Sequence, residues 1–202
     1  MPRTGLTAED IRDRAIDATV VKMREVGFEK VRLTDIAKEL GVSHAALYSH
    51  FTDKSDLLDA VSERWLLALD KKLEAVCRKK KDPCEKIQAW ALTLHRAKVE
   101  KVSRDPELYR AFDMAAVESK PFVKDHLENM HRQLSGLVVE AIEQSGLRNA
   151  DPEAITEIIL AATSAFHHPR LVAQYIEQKR EKLMSQVIDT ILEGLGLKTP
   201  AK

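Results

Sequence analysis

Three Asp-Pro pairs mark helix starts in this chain and constrain its fold more than any other feature of the sequence. In each pair the aspartate can accept a hydrogen bond from the first turn, and the proline, which lacks an N–H group, suits the first helical position. A glutamate follows each pair, where its negative charge interacts favourably with the helix dipole. The pairs are Asp82-Pro83, Asp105-Pro106 and Asp151-Pro152.

Glycines mark the matching helix ends, because a residue with positive φ commonly follows the last turn. They are Gly27, Gly41, Gly146 and the pair Gly194 and Gly196. Between these signals apolar residues recur at spacings of three and four, as on one face of a helix. We therefore expect an all-α protein of about nine helices. The predicted helices are 8–26, 33–40, 44–50, 54–80, 84–104, 106–118, 122–145, 152–167 and 177–194.

Charge composition excludes several classes of protein. The 202 residues carry 32 Lys and Arg against 32 Asp and Glu, so a histone-like DNA condenser or an acidic disordered tail is excluded. A hydrophobic content of 44% is enough for a globular core. The sequence has no apolar run of 18 residues, so we expect a soluble, cytoplasmic protein that does not enter the membrane.

No catalytic or metal-binding motif is evident in the sequence. It lacks a Gly-rich phosphate loop, an HExxH zinc motif and a GxSxG nucleophile elbow. His126 and His131 are five residues apart and so do not share a helix face, and His167-His168 precede a proline, as at a helix end. We predict no catalytic residue, no cofactor and no metal ligand.

Residues 33–51 have the pattern of a helix-turn-helix. Ala37 is small enough for two helices to cross closely, Gly41 can adopt the positive φ of the turn, and Ser43 can cap the second helix. The apolar residues that would hold the second helix against the first are Val42, Leu47 and Phe51. An ordinary helical hairpin within a core is the alternative.

With these motifs, residues from about 8 to 61 resemble the N-terminal domain of the TetR family of bacterial transcriptional regulators. The matching motifs are Val26-Gly27-Phe28, Asp35-Ile36-Ala37, Leu40-Gly41-Val42-Ser43, Leu47-Tyr48-Ser49-His50-Phe51, Lys54 and Leu57-Leu58. The resemblance implies a DNA-binding domain over 1–55 and a helical ligand-binding and dimerisation domain over 56–202.

The resemblance also implies the residues that meet DNA. The recognition helix would run from Ser43 or His44 to His50 in the major groove, with Ser43, His44 and Ala46 near the bases. Tyr48, His50 and Lys54 would reach phosphates, Lys54 together with free backbone N–H groups at a helix start. Tyr48 packing with its hydroxyl exposed and His50 as a plain surface histidine are the alternatives. The full predicted set is Arg32, Thr34, Ser43, His44, Ala46, Tyr48, His50 and Lys54.

Two departures from the family pattern affect this set. Arg32 stands where a capping Ser or Thr is frequent, which puts the cap of the second helix in doubt. His44, Ala45 and Ala46 replace a frequent Lys, Gly and hydroxyl residue, so base recognition would depend on His44, Ser43 and contacts with thymine methyl groups.

For the remainder, the resemblance implies a homodimer on a pseudo-palindromic operator, formed through the helices near 152–167 and 177–194. It further implies a pocket for a small-molecule effector of unknown identity, although the same residues would equally fill a core. Candidate pocket residues are Trp90, His95, Phe112, Met114, Met130 and Leu134.

The sequence thus predicts a DNA-binding transcriptional regulator, a repressor released from its operator by an effector. The alternatives are a DNA-binding protein without an effector and a helical enzyme with an N-terminal hairpin. Even residues 1–55 are neutral, with nine basic and nine acidic side chains, which excludes a nonspecific DNA coater and predicts a shallow salt dependence of DNA binding.

Overall fold

A computed structural model describes residues 7–198, and within that range the chain forms ten α-helices, one 3-10 turn and no β-strand. The all-α fold class is therefore confirmed. None of these helices is both long and apolar enough to cross a membrane. The described residues divide into two compact units.

The first unit combines the chain up to Leu66 with a later segment, Asp105–Lys120. Its core gathers apolar side chains from the first helices of the chain and includes Leu108 and Ala111 of the later segment. Its elements are α1 (Ala8–Val26), a 3-10 turn (Phe28–Lys30), α2 (Leu33–Glu39), α3 (His44–Tyr48), the first half of α4 (Lys54–Cys77) and α6 (Pro106–Val117).

The second unit holds the rest of the chain from Leu67 onward, apart from that segment. Within it one long helix, α5, packs against α7, α8, α9 and α10, and α7 also packs against α8. The elements are α5 (Pro83–Arg104), α7 (Pro121–Ser145), α8 (Pro152–His167), α9 (Pro169–Gln174) and α10 (Glu181–Gly194).

Two of the three predicted Asp-Pro helix starts have the expected cap. The Asp82 carboxylate accepts from the N–H groups of Cys84 and Glu85, and that of Asp151 accepts from those of Glu153 and Ala154. The third prediction was wrong in detail: α6 does begin after Asp105, but this carboxylate binds Arg24 and does not cap the helix. A charged partner 81 residues away in sequence displaces the local hydrogen bond.

The helix boundaries around Pro169 also differ from the prediction, and α3 and α4 end at Tyr48 and Cys77, two and three residues earlier than predicted. Pro169 does not simply interrupt the chain, since it begins the short helix α9, with His168 at the N-cap. The last helix consequently starts at Glu181, four residues later than predicted. At the helix ends, positive φ values at Gly27, Gly41, Gly146 and Gly196 agree with the sequence prediction.

Candidate functional site

The turn between α2 and α3 has the geometry that the helix-turn-helix pattern predicts. Gly41 has φ +67°, and its N–H donates to the Lys38 carbonyl at 3.2 Å. The N–H of Val42 donates to the Ala37 carbonyl at 3.1 Å. These two bonds form a Schellman motif, which satisfies the last carbonyls of α2 and turns the chain sharply towards α3.

Local hydrogen bonding and burial then hold α3 in place. Ser43 Oγ accepts from the N–H of Ala46 at 3.1 Å, which confirms the predicted N-cap. Leu47 and Phe51 are fully buried in the core of the first unit, whereas Val42 packs only partly against it. Leu47 is therefore the main residue by which this five-residue helix packs against the core. The opposite side of the helix faces away from the core.

The outward side of α3 carries the residues predicted to read DNA. His44 and Tyr48 are exposed, and their rings are in contact, tilted by 49° with centroids 4.3 Å apart. Ser43 is also exposed, while Ala46 and His50 are half-buried. No acidic residue lies between Ser43 and His50. This face therefore offers hydroxyl and imidazole groups without a carboxylate to repel phosphate.

The start of α2 brings two more predicted residues to the surface. Arg32 is the N-cap residue of α2 and its side chain makes no capping bond, as its residue type predicted. Both Arg32 and Thr34 are exposed. The Arg32 side chain therefore lies on the surface and does not cap α2.

At the start of α4 part of the predicted set of free backbone donors already has a partner. The Asp53 carboxylate accepts from the N–H of Asp56 at 2.9 Å, so one of these donors is already taken. The Lys54 ammonium donates to the Glu29 carbonyl at 2.5 Å. Because an ammonium has three hydrogens, Lys54 keeps further capacity to donate. The contact of this helix start and of Lys54 with a phosphate stays a prediction.

Polar contacts join α6 to the other elements of the first unit, and no local pattern in the sequence predicts them. The N–H of Phe28 donates to a Glu107 carboxylate oxygen at 3.0 Å, and the guanidinium of Arg110 lies 5.4 Å from the centre of the Phe28 ring. At the other end of α6, the Lys120 ammonium lies 3.0 Å from Asp59 on α4. These partners are separated by about 60 to 80 residues, so only the tertiary structure reveals them.

The structure divides the six predicted pocket residues between the two units. Trp90, His95, Met130 and Leu134 are buried in the second unit. Phe112 and Met114 belong to α6 in the first unit, where Phe112 is buried against aromatic neighbours and Met114 is half exposed. The predicted set is therefore not one group of neighbours within a unit, and its role in ligand binding stays a prediction.

Buried polar side chains outside the predicted pocket set lie near Trp90. His126 Nδ1 is 2.5 Å from a carboxylate oxygen of Asp70, and Asn129 donates to the other oxygen at 3.0 Å. Gln133 accepts from the indole N–H of Trp90 at 3.0 Å and donates to the Asp70 backbone carbonyl at 3.2 Å. Among the described residues His126 Nε2 is buried and has no hydrogen-bond partner.

Two ionisable groups continue this polar region. The Lys98 ammonium donates to the His167 carbonyl at 2.8 Å, and burial lowers the pKa of Lys98 to about 8. Burial, followed by the Lys98 charge, lowers the pKa of His167 to about 4. Burial likewise lowers the pKa of His126, against the opposing hydrogen bond from Asp70. The interior of the second unit thus contains ionisable groups beside its apolar core.

A surface groove of about 390 Å³ lies beside this region, between α4 and α7. Charged side chains of both signs line it, among them Arg78, Arg132 and Glu140. None of the six predicted pocket residues lines the groove, but Gln133, the partner of Trp90, does.

Family models match two segments of the sequence. A model described as "Bacterial regulatory proteins, tetR family" matches residues 6–61, which contain the helix-turn-helix. A second, described as "Tetracyclin repressor-like, C-terminal domain", matches residues 83–188, a little more than half of the 202-residue chain.

Individual proteins agree with these matches. An uncharacterized HTH-type transcriptional regulator of Mycobacterium tuberculosis is 27% identical over 160 residues, which cover 78% of this chain and 66% of that protein, just under two thirds of its length. The crystal structure of a putative transcriptional regulator from Pseudomonas aeruginosa PAO1 has a TM-score of 0.71 at 16% identity, covering 96% of this chain and 93% of that one.

A further solved structure shares the fold and contains a ligand. FadR of Bacillus subtilis, in complex with stearoyl-CoA, has a TM-score of 0.62 at 19% identity and covers 90% of this chain and 98% of that one. At these identities the solved structures establish the fold, while the match over more than half of the sequence establishes the family. The chain belongs to the TetR family of bacterial regulatory proteins.

Proposed function

We propose that this protein is a transcriptional regulator that binds a pseudo-palindromic DNA operator through α3. The observation that carries this proposal is the construction of the helix-turn-helix. A Schellman turn, a Ser43 cap and a buried Leu47 hold a short helix whose outward side carries His44 and Tyr48 and no acid. A rigid, outward, acid-free helix is what entry into a major groove requires.

The predicted residues take different roles in this proposal. His44 reads base edges, with Ser43 and Ala46 beside it, because the N-terminal part of a recognition helix contacts bases. Tyr48, His50, Lys54, Arg32 and Thr34 position the protein on phosphates and carry no sequence information of their own.

We further propose that a small-molecule effector bound in the second unit releases the protein from DNA, so that it acts as a repressor. Two observations support an effector: the buried polar groups around Trp90 and His126, and the ligand in the FadR structure. The protein then acts through binding and not as an enzyme, in the cytoplasm where bacterial DNA lies. An effector can act only by binding the DNA-free conformation more tightly than the DNA-bound one.

We also propose a homodimer formed through α8 and α10. Apolar side chains lie on the surface of both helices in the isolated chain, where Ile158 is 45% and Leu183 is 48% exposed. The small residues Ala161 and Ala162 of α8 are exposed as well and permit close helix packing. Two-fold symmetry would hold the two copies of α3 roughly one DNA turn apart, about 34 to 36 Å, or somewhat further.

DNA binding by the full chain tests the proposal directly. Fluorescence anisotropy with the gene's own upstream DNA, in the presence of competitor DNA, should show sequence-specific binding that weakens with added salt. Lys54→Ala and Tyr48→Phe should weaken binding to all sequences equally, and Lys54→Ala should lower the salt slope by about one phosphate contact. His44→Ala should instead change the preference between sequences, by about 1 to 3 kcal/mol at the affected base.

Lys124→Ala is the matched control, because Lys124 is an exposed lysine of α7 in the second unit and should leave DNA affinity unchanged. Equal effects of Lys54→Ala, His44→Ala and Lys124→Ala would contradict the assigned roles, and absence of competitor-resistant binding would refute the regulator. Retained operator binding in the presence of every tested cellular metabolite would favour a DNA-binding protein without an effector.

A further inference from the structure

Three potential metal ligands from two helices converge at the beginning of α8. His131 lies on α7, and Glu153 and Glu157 are four residues apart on α8, which puts both carboxylates on one face. His131 Nε2 is 3.1 Å from Oε1 of Glu153 and 3.4 Å from Oε1 of Glu157. All three ligand atoms lie within 4.8 Å of one another.

These separations match a metal coordination sphere. Zinc bonds to histidine nitrogen and carboxylate oxygen are about 2.0 to 2.2 Å long, so neighbouring ligand atoms around a tetrahedral ion stand about 3.3 Å apart. The two nitrogen to oxygen distances bracket that value. A cation can therefore be bound with small adjustments of side chains that are mostly exposed.

The surroundings of the His131 imidazole nitrogen add to this geometry. In the part of the chain that the structure describes, His131 Nε2 is covered from solvent and makes no hydrogen bond, despite the two nearby carboxylates. A ring nitrogen that is shielded from water and forms no well-directed hydrogen bond, although two carboxylates lie within ion-pair distance, is poorly satisfied. A metal ion would do so through the nitrogen lone pair.

Charge favours a divalent ion over a simple ion pair. Two carboxylates carry two negative charges, and one imidazolium would neutralise only one of them. A divalent cation bound by a neutral imidazole and both carboxylates leaves the site neutral. One histidine with two carboxylates suits a borderline transition-metal ion such as Zn²⁺ or Co²⁺ better than Mg²⁺, which prefers an all-oxygen octahedron.

We propose that His131, Glu153 and Glu157 form a binding site for one divalent transition-metal ion, with water in the remaining coordination positions. The ion would join α7 to α8 and so hold two helices of the second unit together. No metal ligand was predicted from the sequence, because the three residues lie on two different helices. The two glutamates lie 22 and 26 residues beyond His131 and approach it only when α8 packs on α7. This inference does not depend on DNA binding.

Titration of the metal-free full chain with Co²⁺ tests the site, because Co²⁺ bound to nitrogen and oxygen ligands absorbs visible light. We expect one Co²⁺ per chain, displaced by Zn²⁺ and not by excess Mg²⁺. His131→Ala and the nearly isosteric Glu157→Gln should each weaken binding by roughly tenfold or more, since each removes a ligand. Zn²⁺ should raise the unfolding temperature of the wild-type chain and not that of either variant.

His168→Ala and Glu143→Gln are the matched controls, because both residues are exposed in the second unit and lie outside the cluster. They should bind Co²⁺ as the wild type does. Far-UV circular dichroism of each variant, without metal, establishes that the helices are retained. Co²⁺ binding that is unchanged in His131→Ala, or absent from the folded wild-type chain up to about 1 mM, would overturn the site and leave only a histidine–glutamate ion pair.

Discussion

Lys98, His126 and His167 are ionisable residues whose side chains lie inside the second unit. Each sits where the charged form is poorly solvated, so burial lowers its pKa. Their hydrogen-bond partners are an aspartate and backbone carbonyls. These partners accept hydrogen bonds but do not remove the free-energy cost of burying a protonated side chain. Protonating these histidines should therefore destabilise the folded chain.

His167 gives a pH prediction with a definite sign. Its folded pKa is about 4 against an ordinary 6.5, so the unfolded chain binds more protons between these values. The contribution of neutral His167 to the free energy of unfolding is complete above pH 6.5 and is lost as the pH falls towards 4. At pH 5 the loss is about 2 kcal/mol. Urea unfolding at pH 7 and pH 5 measures this loss.

His167→Gln is the informative variant, because it keeps a side chain able to form hydrogen bonds and cannot titrate. Between pH 7 and pH 5, the free energy of unfolding of this variant should fall by about 2 kcal/mol less than that of the wild type. The exposed neighbour variant His168→Gln should behave as the wild type. The same acid loss in all three chains would rule out His167 as its source.

The turn between α2 and α3 is the element on which the DNA-binding proposal depends. Gly41 holds it with φ +67°, a conformation that costs a side-chain-bearing residue about 1 kcal/mol or slightly more. No described atom lies within 4 Å of a Cβ built at Gly41, so the cost of Gly41→Ala is conformational and not steric. We expect this substitution to destabilise the protein by about 1 kcal/mol and to weaken DNA binding.

Gly136 is the natural control for that prediction. It lies inside α7, where a Cβ also meets open space and φ is ordinary. Gly136→Ala should stabilise the chain by about 0.5 to 1 kcal/mol, because alanine has the higher helix propensity. Chemical denaturation of both variants measures the two effects, and changes of the same sign would contradict the left-handed turn.

At the scale of the whole molecule, the proposed dimer depends on the exposed apolar residues of α8 and α10. Charged substitutions there, Ile158→Glu and Leu183→Glu, should produce a monomer by burying an unpaired charge at the proposed interface. The variants should also lose operator affinity, because one copy then contacts only a half-site. Sedimentation equilibrium measures the mass.

Val117→Glu is the control for the dimer, since Val117 is 62% exposed on α6, which belongs to the first unit and not to the helices of the proposed interface. It should remain dimeric. If Ile158→Glu and Leu183→Glu both keep the mass of the wild-type dimer, the interface lies elsewhere.

Much of the fold follows from local signals in the sequence. Proline after aspartate, glycine at helix ends and apolar spacing act within a few residues, so Asp82, Asp151 and Gly41 behave as predicted. Asp105 does not, because Arg24 offers its carboxylate a charged partner from a distant part of the chain. Pro169 begins the short helix α9 at a place where a break alone was expected.

By itself, then, the sequence determined the all-α class, most helix boundaries, the helix-turn-helix and its outward residues, because each depends on contacts between residues close in the chain. The tertiary structure alone decided that α6 joins the first unit, that Lys98 and His126 titrate in a buried polar region, and that His131 meets Glu153 and Glu157. These features pair groups some 20 to 80 residues apart. Helical periodicity shows which face of a helix is buried, but not which other helix covers it.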